Sequence, residues 1–90
     1  MKYLMFYEMA ADAMTKIQAH FPAHQARLLE FHQQGTLLMA GPYGMPPIGA
    51  LGIFTTQEAA ESFASGDPFV INGVVAKYII QPWSEALVPQ

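Results

Sequence analysis

Ninety residues leave room for one domain, taken here as residues 1–90, and for one core. Hydrophobic residues make up 52% of the chain and charged residues 12%, against roughly 25% charged in an ordinary soluble domain. That is more apolar surface than a small monomer buries, so a second subunit is expected to cover part of it. The net charge is -3, and Lys2, Lys16, Arg27 and Lys77 are scattered, which argues against nucleic acid as a partner.

Cysteine is absent, which excludes disulfide and thiol chemistry. The opening MKYLMFYEMAAD carries a lysine and a short apolar run, but Glu8 and Asp12 interrupt it before it resembles a signal-peptide core. No stretch approaches the ~20 apolar residues of a membrane span. The expectation is a cytoplasmic, soluble protein with no membrane partner.

Lys2 to Tyr7 reads as a strand, rich in residues that suit a pleated surface. Alternation places Tyr3, Met5 and Tyr7 on one face and Lys2, Leu4 and Phe6 on the other. Both faces are largely apolar, as in a strand covered on both sides. Asp12 can cap a helical piece over Ala13 to Phe21. Pro22 fits the first turn of a further piece, Pro22 to Gln34, so the region is one kinked helix or two consecutive ones. His24, Leu28 and Phe31 share one face of the second piece, and Gly35 ends it.

Thr36 to Ala40 is a second strand. Gly41-Pro42-Tyr43-Gly44 reads as a turn, and Met45-Pro46-Pro47 as an extended link. Ile48 to Phe54 is a third strand, with Gly49 and Gly52 inside it. Thr55 or Thr56 caps a second helix that Glu58 complements and Ser65-Gly66 ends. Asp67 before Pro68 is a cap for a short turn, and Asn72-Gly73 is a tight turn. Val74 to Gln81 is the last strand, stopped by Pro82, and Trp83 to Gln90 is a tail.

The order strand, helix, strand, strand, helix, strand is the α+β, ferredoxin-like βαββαβ pattern with a four-stranded antiparallel sheet. Two helices cover one face only. The strands are apolar on both faces, so a homodimer through the open sheet face is expected.

Candidate chemistry centres on the three histidines. His24 lies at a helix start on the core-facing arc, where the positive helix end favours a neutral, basic imidazole. A histidine there is equally a half-buried ring satisfied by a carbonyl. His20 and His24 have the four-residue spacing of helical metal ligands, but Pro22 separates them and no third ligand has a recognisable spacing, so no metal is expected. His32 falls on the solvated face. Tyr7, Tyr43 and Trp83 can line a pocket or belong to core and interface. Gly41 and Pro42 can admit a ligand close to the backbone or simply turn the chain. No phosphate loop and no nucleophile elbow occurs.

AHQARLLEFHQQGTLLMAGPYG followed by DPFVINGVVAKYIIQPW resembles the YciI-like (YCII-related) family. The shared pattern is a helix with a histidine, a glycine, an apolar strand and Gly-Pro, then Asp-Pro-Phe and a closing strand near Pro-Trp. The resemblance spans nearly the whole chain. It implies a dimeric α+β barrel of ferredoxin-like subunits and a His–Asp pair at the active site, falling on His24 and Asp67. Similarity of some members to muconolactone-type isomerases and dehalogenases implies proton transfer or elimination on small carbonyl compounds.

Two functions follow. One is a cofactor-free enzyme using His24 and Asp67 for isomerisation, elimination, dehalogenation or hydrolysis of a small organic acid or lactone, with Tyr7, Gly41, Pro42 and Tyr43 around the ligand. The other is a non-catalytic small-molecule-binding or accessory dimeric module.

Overall fold

Strand alternation gives the sheet two unlike faces, and the helices take one of them. The computed structural model describes residues 1–90. The strands are β1 (Lys2–Met9), β2 (Leu37–Tyr43), β3 (Gly49–Phe54) and β4 (Val75–Trp83), and the helices are α1 (Ile17–Gln33), α2 (Gln57–Gly66) and the single turn α3 (Pro68–Ile71). The sheet order is β2-β3-β1-β4, with every pair antiparallel. This is the α+β, ferredoxin-like arrangement that the sequence pattern implies. No helix is long and apolar enough to cross a membrane.

Met5 and Tyr7 of β1 lie opposite Gly52 and Ala50 of β3, and these pairs face the helices. Phe54, Phe63 and Val74 are fully buried and form the centre of the core with Phe31 and Leu37. Leu4, Phe6, Ile53 and Ile79 fall on the opposite face by alternation. There Ile79 is 50% exposed, Met39 68% and Trp83 41%. The chain thus presents an apolar sheet face that its own helices leave uncovered.

Local signals explain most boundaries. Gly35, Gly44 and Gly73 adopt positive φ at the ends of α1, β2 and the α3 turn. Thr56 caps α2, its hydroxyl accepting from the Ala59 N–H at 3.0 Å.

Four expectations need correction. Asp12 makes no side-chain cap and instead pairs with Lys16 at 3.0 Å. Pro22 does not open a further piece: of one helix or two, the region forms one, and Pro22 sits inside α1. It lacks only its own N–H, and the Gln18 carbonyl thereby freed belongs to an exposed residue that water can reach. Gly41-Pro42-Tyr43 is strand, and the turn begins at Gly44. Pro82 does not stop β4, which continues to Trp83. Pro42 and Pro82 both lie on edge strands, where a missing donor costs no ladder bond on the outer side. They also blunt both edges against further pairing.

The tail is tied back by Glu85, whose Oε2 accepts from Lys2 Nζ at 2.7 Å. The Lys2 hydrogen bond first, with a backbone donor second, lowers the Glu85 carboxyl from its ordinary 4.5 to about 2. A lowered folded value means that this contact stabilises the docked tail fully above pH 4.5 and is lost as pH falls towards 2. Trp83 fluorescence should therefore report tail release across that window. In Glu85→Gln the release should no longer depend on pH, and an unchanged acid transition in that variant would disprove the assignment.

Candidate active site

Asp67 is the best-buried polar side chain, with no exposed surface. It stands between α2 and α3 and caps α3, its Oδ1 accepting from the Phe69 N–H at 3.1 Å. The remaining capacity of the carboxylate is taken from two other elements. Tyr7 of β1 donates its hydroxyl to Oδ2 at 2.7 Å. His24 of α1 brings Nδ1 to 2.7 Å from Oδ1. No buried side-chain polar atom in the molecule lacks a partner.

These contacts fix the histidine. A carboxylate only accepts, so Nδ1 carries the proton and Nε2 is the ring nitrogen left for a ligand. The ring lies flat on Phe69, with centroids 3.8 Å apart and planes 5° apart, and meets the edge of Phe63. Its side chain keeps 12% of its surface exposed. His24 is the eighth residue of α1 and not in a first turn. The dipole of the helix start fades within one turn and does not reach this ring.

Tyr7 is a donor and not a base. Burial first, then the Asp67 hydrogen bond and charge, push its phenol well above the usual range, so it keeps its proton at any working pH.

Arg27, one turn after His24 on α1, secures the same junction from the other side. Its Nε donates to the Phe63 carbonyl at 3.0 Å and its Nη2 to the Ser62 carbonyl at 2.7 Å, which satisfies the last turn of α2. The guanidinium also lies 4.9 Å over the Phe31 ring. A Cβ on Gly66 would stand 2.5 Å from Nη2. A larger residue just before Asp67 would therefore push the end of the Arg27 side chain out of this clamp.

A cavity of about 390 Å³ opens beside His24, between α1 and the β2-β3 half of the sheet. It exists because Ala40, Ala50 and Gly52 are small where α1 passes above them. His24, Tyr7, Gly41 and Pro42 all border it. Tyr43, expected around the ligand, does not. A bulge between Leu37 and Met39 sets the parity of β2, so Pro42 points to the helices and Tyr43 to the open face, across Gly49. No three His, Asp or Glu side chains gather as a metal-holding group. His20 lies outside the cavity wall, and His32 Nδ1 bonds the Leu37 carbonyl at 2.8 Å.

A family model described as the YCII-related domain matches residues 1–84. The chain belongs to the YCII-related family. It is 35% identical to "Protein YciI" of Escherichia coli O6:H1 and to "Protein YciI" of Shigella flexneri, over 94% of this chain and 98% of each relative. A Haemophilus influenzae protein is 28% identical over the same shares. Among solved structures, 5-chloro-2-hydroxyhydroquinone dehydrochlorinase (TftG) from Burkholderia phenoliruptrix AC1100, in complex with 2,5-dihydroxybenzoquinone, matches with a TM-score of 0.74. It is 21% identical and the match covers 96% of both chains, a likeness of fold.

In this YCII-related chain, sequence reasoning missed the direct Tyr7–Asp67 bond and the Arg27 clamp. Tyr7 was legible only as an inward aromatic, and Arg27 only as a neighbour of the apolar arc. Tyr7→Phe removes the donor to Asp67 Oδ2 and leaves a buried oxygen unpaired. It should lower stability by about 1–3 kcal/mol. Urea unfolding checks this, with the slope unchanged; a variant as stable as the parent would show that the bond contributes nothing.

Proposed function

We propose that the chain is a small cofactor-free enzyme in which His24 moves protons at Nε2 and Asp67 holds and balances it. The observation that carries this reading is the 2.7 Å contact between His24 Nδ1 and a fully buried carboxylate, at the wall of an apolar cavity. In that arrangement Nε2 takes a proton from a substrate C–H or O–H. The electron pair released shifts a double bond in isomerisation, expels a leaving group in elimination, or, when the proton comes from water, drives attack on a carbonyl in hydrolysis. Nε2 then returns the proton to product or solvent. Asp67 stabilises the imidazolium that forms in between. TftG is a dehydrochlorinase, and elimination by a cavity base is the same class of step. The substrate class is a small organic acid or lactone, and the compartment is the cytoplasm.

His24→Ala should reduce turnover of an accepted substrate by about 10²–10⁴-fold while leaving the far-ultraviolet spectrum intact. Retained turnover would remove His24 from the mechanism. A second reading is favoured by the wall itself, which offers one base and otherwise mostly apolar side chains: a small-molecule-binding module without chemistry. Binding at His24 with no turnover would decide for it.

The working unit is proposed to be a homodimer through the open sheet face. Exposed Met39, Ile79 and Trp83 beside Leu4, Phe6 and Ile53 support this face. Sedimentation at micromolar concentration should give twice 9.9 kDa, and Ile79→Glu should shift it to monomer. A parent chain that sediments as a monomer would refute the dimer.

A further inference from the structure

Every basic side chain of this protein is committed away from the cavity. Lys2 pairs with Glu85 at 2.7 Å and Lys16 with Asp12 at 3.0 Å. Lys77 lies 3.4 Å from Glu8 across the strands of the open face. Arg27 is spent on the Ser62 and Phe63 carbonyls. None of the four borders the cavity, and neither do His20 and His32. The wall therefore contains one group able to carry positive charge, His24, and that ring already faces the Asp67 carboxylate. With His24 neutral, the one formal charge in direct contact with the wall is that of Asp67, buried where water does not screen it, and the Arg27 guanidinium behind the α2–α3 corner offsets part of it.

The rest of the wall fits a flat, uncharged molecule. Phe21, Phe54, Phe63 and Phe69 supply rings, and Gln25 adds an exposed amide at the edge, able to donate and accept. A carboxylate placed here would lose its hydration, meet no cation and sit near a like charge. A lactone, quinone or undissociated phenol loses far less and still presents an oxygen or an acidic proton to Nε2.

We infer that the cavity selects neutral ring compounds bearing a carbonyl or hydroxyl and excludes carboxylates. This rests on the site proposed above and narrows its substrate class from small acids and lactones to the uncharged members. The groups that set the charge around His24 are Asp67 at the α2–α3 junction, Tyr7 on β1, Tyr78 beside Tyr7 on β4, and Arg27 on α1.

Benzamide and benzoate share one ring and differ in charge, which makes them the probes, with phenol as a second neutral ring. Each is titrated into the full chain while the His24 ring resonances are followed by NMR, at a pH where those resonances show a neutral ring. Benzamide and phenol should shift the ring and bind at least about tenfold more tightly than benzoate. Gln25→Lys, an exposed substitution, should strengthen benzoate binding and close the gap. Asp67→Asn, which keeps the cap, should do the same if it folds. Equal or tighter binding of benzoate by the parent overturns the inference, as does the absence of any shift with the neutral probes. Benzoate affinity unchanged in Gln25→Lys also overturns it, because the discrimination would then not be electrostatic. The acid/base reading is judged separately, by turnover in His24→Ala, so one can fail without the other.

Discussion

The Asp67 carboxylate is the constraint on which the rest of the site depends. A buried charge is tolerated only when its partners are all in place, because leaving one out costs several kcal/mol or so. Here the partners come from a strand, a helix and the turn that Asp67 itself caps. Satisfying one side chain therefore fixes β1, α1 and α3 relative to one another. The same bonds orient the imidazole, so the group that holds the fold together locally also chooses which ring nitrogen meets the cavity.

Around that point the packing is asymmetric. Towards the α2 side, Phe54, Phe63 and Phe31 fill the space between helices and sheet, and the Arg27 clamp locks the end of α2. Towards β2 and β3, the inward positions Ala40, Ala50 and Gly52 are too small to reach α1. A dense half and an empty half thus follow from side-chain volume on a shared sheet. The dense half gives the histidine its rigidity, and the empty half gives it a ligand space.

Charge follows the same division. The chain has few charged groups, and its basic side chains pair with acids or backbone carbonyls at the periphery. The only acid at the centre is the one the histidine needs. Under the proposed mechanism, chemistry at this site would depend on proton position more than on ion pairing with a substrate.

Much of the fold was written locally. Alternation in Lys2–Tyr7 and Val74–Gln81, the Gly35 stop and the caps at Thr56 and Asp67 are rules acting over a few residues, and they give the order of elements and hence the ferredoxin-like topology. Local rules misplaced Pro22, Pro42 and Pro82, because the cost of a proline depends on what lies outside its helix or strand. They misplaced Tyr43, because one bulge in β2 reverses which residues face inward. The family resemblance named His24 and Asp67, but forty-three positions separate them and sixty separate Tyr7 from Asp67. No short-range pattern encodes those meetings. The sequence by itself determined the elements, their order and the residue types able to do chemistry. Only the packing of α1 over β1 and against the α2–α3 corner decided that a tyrosine, an aspartate and a histidine share one hydrogen-bond chain, and that every lysine and arginine stays out of the cavity beside it.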